Sequence, residues 1–98
     1  MTHYMVDIDL PSSRSVEFQS LIPSQRSHIN TLLGEGTVVS YSLSLDRSRL
    51  WVILVAQSAD EAAALVSRFP LALFFRTTIH PLVFHDGLTL SMTKVSLN

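Results

Sequence analysis

The chain has no cysteine, which excludes a disulfide framework, a zinc–thiolate centre and thiol catalysis. It is also poor in charge: Asp, Glu, Lys and Arg make up 15% of its 98 residues, against roughly a quarter in an average soluble domain. The surface must then carry uncharged polar groups, which the numerous serines supply, or an apolar patch that a partner covers. With a net charge of −1, a pI near 6.4 and no local cluster of Lys or Arg, a phosphate backbone finds no electrostatic footprint, so nucleic acid is not an expected partner. No apolar run approaches the ~20 residues of a membrane span, and roughly the first thirty residues hold no basic-then-apolar leader. A cytoplasmic location away from the membrane is the expectation.

What the chain does have is β-structure centred on residues 37–57, TVVSYSLSLDRSRLWVILVAQ. Val39, Tyr41, Leu43 and Leu45 alternate with Ser40, Ser42 and Ser44, the period-2 pattern of a half-buried strand. Asp46-Arg47-Ser48-Arg49 is a polar break, read as a turn, and LWVILVA after it is a continuous apolar run with the length of a central strand covered on both faces. Residues 3–10 alternate too, with Tyr4, Val6, Ile8 and Leu10 on one face and Met5, Asp7 and Asp9 on the other, and Pro11 ends that strand.

Phe18, Leu21, Ile22, Gln25, Ile29, Leu32 and Leu33 fall at helical spacing up to Gly34. Pro23 interrupts them, and a short first turn followed by a main helix starting near Pro23 accommodates its missing N–H. Gly34-Glu35-Gly36 supplies the left-handed stop. Ser58 and Glu61 have capping-box form, Ala62, Leu65, Val66 and Phe69 form the stripe of a second helix, and Pro70 closes it. Alternation returns over residues 75–84, with Phe75, Thr77 and Ile79 opposite Arg76, Thr78 and His80. His85-Asp86-Gly87 reads as a turn before a last strand over residues 88–95.

The order β-α-β-β-α-β with an extra C-terminal strand predicts an α+β, ferredoxin-like arrangement over a single domain of residues 1–98. Two helices cover one face of an antiparallel sheet ordered 4-1-3-2. A third strand as apolar as LWVILVA leaves the helix-free face in need of cover, so a homodimer through that face is expected.

Three stretches carry a family resemblance: a first strand ending in Leu10-Pro11, a helix closing on Gly34-Glu35-Gly36, and Phe69-Pro70-Leu71-Ala72-Leu73-Phe74-Phe75, which looks like a Leu-Pro-Leu-Phe-Pro segment before a last core strand. Over roughly residues 4–84 the chain resembles the muconolactone isomerase-like proteins of the dimeric α+β barrel group. The resemblance implies their fold, a dimer, and an isomerase-like protein acting on an unsaturated acid or lactone. The helix stretch that is acidic and basic in lactone-isomerising members reads Ser24-Gln25-Arg26-Ser27-His28 here, and their charged and aromatic strand stretch reads Val39-Ser40-Tyr41-Ser42-Leu43.

Isomerisation beside a carbonyl needs a base and a donor that stabilises the enolate. On the helix-free face Asp7 or His80 is the candidate base, with Arg76 holding a substrate carboxylate and Asp9 alongside, because strand alternation sends all four to one side. The bland reading of the same set is an ion-pair network that fixes dimer register. In that case the pocket is expected on the helix side, around Gln25, His28 and Tyr41. No cofactor is called for. His80 and His85 lie on opposite faces, His3 and His28 are isolated, and no metal-ligand spacing results. An isomerase-like enzyme and a non-catalytic dimeric module that binds a small molecule or a partner both remain open.

Overall fold

The computed structural model describes residues 1–87, so the expected strand over residues 88–95 lies outside the described part. Strands β1 (Thr2–Asp9), β2 (Val38–Leu43), β3 (Arg49–Ala56) and β4 (Arg76–Pro81) form one sheet in the order β2-β3-β1-β4. All of its pairings are antiparallel. This is the ferredoxin-like topology expected from the element order.

Strand parity sorts the residues. Tyr4, Val6 and Ile8 of β1 stand opposite Leu54, Val52 and Leu50 of β3, and all but Leu50, which is partly buried, lie in a core closed by Ile29, Ala62, Val66 and Phe69. Each such aliphatic side chain fully buried contributes on the order of 1.5–3 kcal/mol.

Two helices cover this face, with α2 (Ile22–Glu35) over β2 and α3 (Ala59–Ser67) over β3 and β4. A short helix α1 (Val16–Ser20) precedes α2, and Leu21 serves as the C-cap of one and the N-cap of the other. Pro23 falls in the first turn of α2, where an amide proton would have no helical partner. Helix α2 runs through Gly34 and stops at Gly36, whose φ of 81° is left-handed and whose N–H donates to the Leu33 carbonyl at 3.1 Å. At the start of α3 the Ser58 hydroxyl accepts from the Glu61 amide at 3.1 Å, and the Glu61 carboxylate accepts from the Gln57 amide at 3.0 Å. The back-reach of this capping box therefore lands one residue before the cap.

Strand β2 departs from the expected alternation. A β-bulge between Val38 and Ser40 inserts one residue, so Val38 takes the inner place and Val39 turns outward. Beyond the bulge Tyr41 and Leu43 face the helix side, opposite Val52 and Leu50, while Leu45 sits in the turn and is fully exposed. Strand β4 ends at Pro81 instead of continuing to residue 84, and His85-Asp86-Gly87 carries no regular structure.

A 3-10 turn, Ala72–Phe74, leads from α3 back to β4. Its surroundings are aromatic: Phe69 meets Phe75 edge-on at 6.5 Å and Phe18 meets Phe74 at 5.3 Å, geometry that adds to the area these rings bury.

Candidate functional site

Two polar groupings lie on opposite faces of the sheet. On the helix-free face, register places Asp9 opposite Arg76, Asp7 opposite Thr78, and His80 opposite Met5. The four candidates thus share a face, as strand alternation requires. The cation that engages the carboxylates is a different one. Arg49 donates to Asp7 at 2.9 Å and reaches Asp9 at 2.9 Å. Its hydrogen bond to Asp7, then the charges of Asp7 and Asp9, raise its pKa above the ordinary guanidinium value. Arg49 is no turn residue; it opens β3 directly across from Asp9. Beside this group Trp51 is 36% and Met5 37% exposed, and the register adds Ser42, Thr78 and Arg76 to the same face.

On the helix side, α1, α2 and the β2–β3 end of the sheet enclose a cleft of about 160 Å³. Its inner wall is Phe18, Gln25, Ile29 and Leu71, all buried, with Leu50 and Phe75 behind them. Leu10, Ile22, Tyr41, Leu43 and three arginines, Arg14, Arg26 and Arg47, complete the lining. Among the described residues its lining holds no carboxylate and no imidazole.

Each arginine arrives by a separate route. Arg14 follows the first strand, lies 5.4 Å from the Phe18 ring centroid and donates to the Arg47 carbonyl. Arg26 is on α2. Arg47 sits in the β2–β3 turn with a left-handed φ of 63°, in a loop tied by Asp46. That carboxylate accepts from the Ser48 hydroxyl at 2.7 Å, the Ser48 amide at 3.0 Å and the Ser44 hydroxyl at 2.8 Å. These bonds lower its pKa to about 2. Among the described residues none of the three cleft arginines has a carboxylate within ion-pair distance.

Gln25 is 7% exposed. Its Oε1 accepts from the Leu71 amide at 3.1 Å, linking α2 to the loop before β4, while its Nε2 is buried with no partner among the described residues.

Of the residues expected on this side, Gln25 and Tyr41 line the cleft. His28 does not: its ring stacks edge-on against Phe69 at 5.7 Å. The sequence pattern does not bring Arg14 to the turn residue Arg47, because they are 33 residues apart and no local pattern links a loop arginine to a turn arginine. The described residues hold no cluster of His, Asp or Glu fit for a metal ion, and no helix among them is long and apolar enough to cross a membrane.

The architecture is that of a small ferredoxin-like α+β protein with a cleft between sheet and helices. A solved structure with similar architecture is the 5-chloro-2-hydroxyhydroquinone dehydrochlorinase TftG from Burkholderia phenoliruptrix AC1100, in complex with 2,5-dihydroxybenzoquinone. The two superpose with a TM-score of 0.57 at 20% sequence identity, over 89% of this chain and 96% of that one. At that identity the likeness shows the fold. No family model matches the chain, and no curated protein does.

Proposed function

We propose that this chain is a small-molecule-binding protein of the muconolactone isomerase-like kind, whose helix-side cleft takes a small unsaturated acid or lactone. The observation that carries this reading is the pairing of apolar walls with three arginines that no carboxylate neutralises. Apolar walls hold a ring by burial, and a guanidinium binds a carboxylate by two parallel hydrogen bonds. The solved neighbour is in complex with a small quinone, in keeping with a ligand of that size.

Binding is what the lining supplies best. Proton abstraction ordinarily draws on a carboxylate or an imidazole, and the lining offers neither, leaving the Tyr41 phenol as its one weakly acidic group. The placement on the other face, with Asp7 or His80 as base and Arg76 as carboxylate clamp, has less in its favour. There Arg49 already engages both aspartates, and His80 stands opposite Met5.

The protein works as a homodimer through the helix-free face in this reading, supported by exposed Trp51 and Met5 and by the low charge content. Titration calorimetry with benzoate and its methyl ester tests the site. The acid is expected to bind at least about tenfold tighter than the ester, the effect of one charged hydrogen bond. Equal affinity, or no binding of any small aromatic or unsaturated acid, sinks the reading.

A further inference from the structure

We infer that Gln25 sets which acids the cleft accepts, its amide nitrogen donating to a carbonyl oxygen borne by the bound acid at the end away from the carboxylate. This rests on the reading of the cleft as an acid-binding site. Gln25 is the single buried amide or charged side chain among the described residues, and it stands on the inner wall, with Phe18, Ile29 and Leu71 as its apolar neighbours in the lining.

The orientation of its amide follows from hydrogen bonding. The Leu71 N–H is a donor, so the atom 3.1 Å from it must be Oε1; the flipped amide would set donor against donor. That bond fixes the free end as Nε2, which is buried and has no partner among the described residues. A structural tie to Leu71 explains the oxygen and leaves the nitrogen unexplained. An unpaired buried donor opposes folding, and an oxygen brought by a ligand relieves it.

Burial then orders the cleft from end to end. Arg26 and Arg47 are exposed and Arg14 half-exposed, whereas Gln25 is 7% exposed. The ligand chemistry that satisfies both ends is a ring acid with its carboxylate at the arginines and an uncharged acceptor, a ring ketone or ester carbonyl, on Gln25. A site that presents a donor rejects the analogue lacking the acceptor far more strongly than an apolar wall rejects an extra atom.

The test uses the matched pair 4-oxocyclohexanecarboxylate and cyclohexanecarboxylate, which differ only in the ketone oxygen. With the full chain, calorimetry is expected to give the oxo acid an affinity about tenfold higher. Gln25→Met is expected to bring the ratio to about one. Gln25→Glu, which keeps an acceptor for the Leu71 amide and loses the donor, is expected to do the same and stands in if the methionine variant fails to fold. Arg26→Met is expected to weaken both acids together and leave the ratio intact. Binding of both acids by the parent protein without preference, or a preference that survives both Gln25 substitutions, overturns the role of Gln25 alone. Failure of both acids to bind removes the acid-binding cleft and this role with it.

Discussion

Arginine is held differently at the aspartate pair of the helix-free face and in the cleft on the helix side. On the helix-free face Arg49 is held between Asp7 and Asp9, both at 2.9 Å. On the helix side Arg14, Arg26 and Arg47 line a cleft with no carboxylate among the described residues. The cause is the parity of one strand. Alternation in β1 sends Tyr4, Val6 and Ile8 to the helices and Asp7 and Asp9 to the other side. Acid is thereby removed from the neighbourhood of the cleft, and its cations stay available to an anion from solution.

The largest effect expected from breaking this comparison is on stability, and β3 carries both halves of the test. Leu54 is buried in the core on the helix side, and Leu54→Ala is expected to lower the unfolding free energy by about 2–5 kcal/mol, read by urea denaturation. Trp51 lies on the other face of the same strand, 36% exposed. Trp51→Ala is expected to act through association: stability rises with protein concentration in the parent but not in the variant, with sedimentation showing a weakened dimer. A Trp51→Ala penalty that is large and independent of concentration ends the idea that this face is an interface.

A second pair of variants sets one arginine against the other. Arg26→Met is expected to weaken benzoate about tenfold while leaving the urea midpoint unchanged, because it removes a charged donor to the ligand and no internal ion pair. Arg49→Met is expected to do the reverse. Benzoate binding holds, and the midpoint falls at low salt because Asp7 and Asp9, two residues apart on one face, are left without their cation. That loss shrinks in high salt, since the pair is part-exposed in the single chain and screened there. If Arg49→Met abolishes benzoate binding, the acid site belongs on the helix-free face, with Asp7, Asp9, Arg76 and His80.

How much of this was legible depended on whether the signal was local. Alternation in residues 3–10 and the apolar run LWVILVA place β1 and β3, and the Ser58–Glu61 cap and Gly36 mark helix ends, because each is a relation among residues a few positions apart. Strand order follows from those elements and their sequence. The bulge at Val38 and Ser40 left no such mark, since Val38 and Val39 are chemically alike and pairing with β3 decides which one turns inward. The cleft was still less legible. Gln25 could be placed on the buried stripe of a helix, but its partner Leu71 is 46 residues away, and Arg14 meets Arg47 across a gap of 33. Arg49 reads as a turn residue in the sequence because Asp46-Arg47-Ser48-Arg49 is polar throughout, and the pairing of its last member with Asp9 depends on the register of β1 against β3.

The smallest expected effect concerns the turn that presents Arg47 to the cleft. Asp46 is exposed, yet hydrogen bonds from the Ser48 hydroxyl, the Ser48 amide and the Ser44 hydroxyl lower its pKa from 3.8 to about 2. A carboxylate whose folded pKa is depressed binds its proton less readily in the folded chain than in the unfolded one. Its contribution to stability is therefore complete above the unfolded pKa near 4 and disappears as pH falls to about 2. The Asp46→Asn variant, with one acceptor oxygen and no charge, is expected to lose that segment of the acid-unfolding curve and to differ little from the parent at pH 2. Near neutral pH it is expected to be slightly less stable and to bind benzoate somewhat more weakly, because the turn holding Arg47 loosens. Titration of the Asp46 carboxylate by NMR checks the cause directly. A midpoint near 3.8 in the folded protein means that the serines do not hold the charge, and the turn then owes its shape to the backbone bonds between Ser44 and its neighbours Arg47 and Arg49.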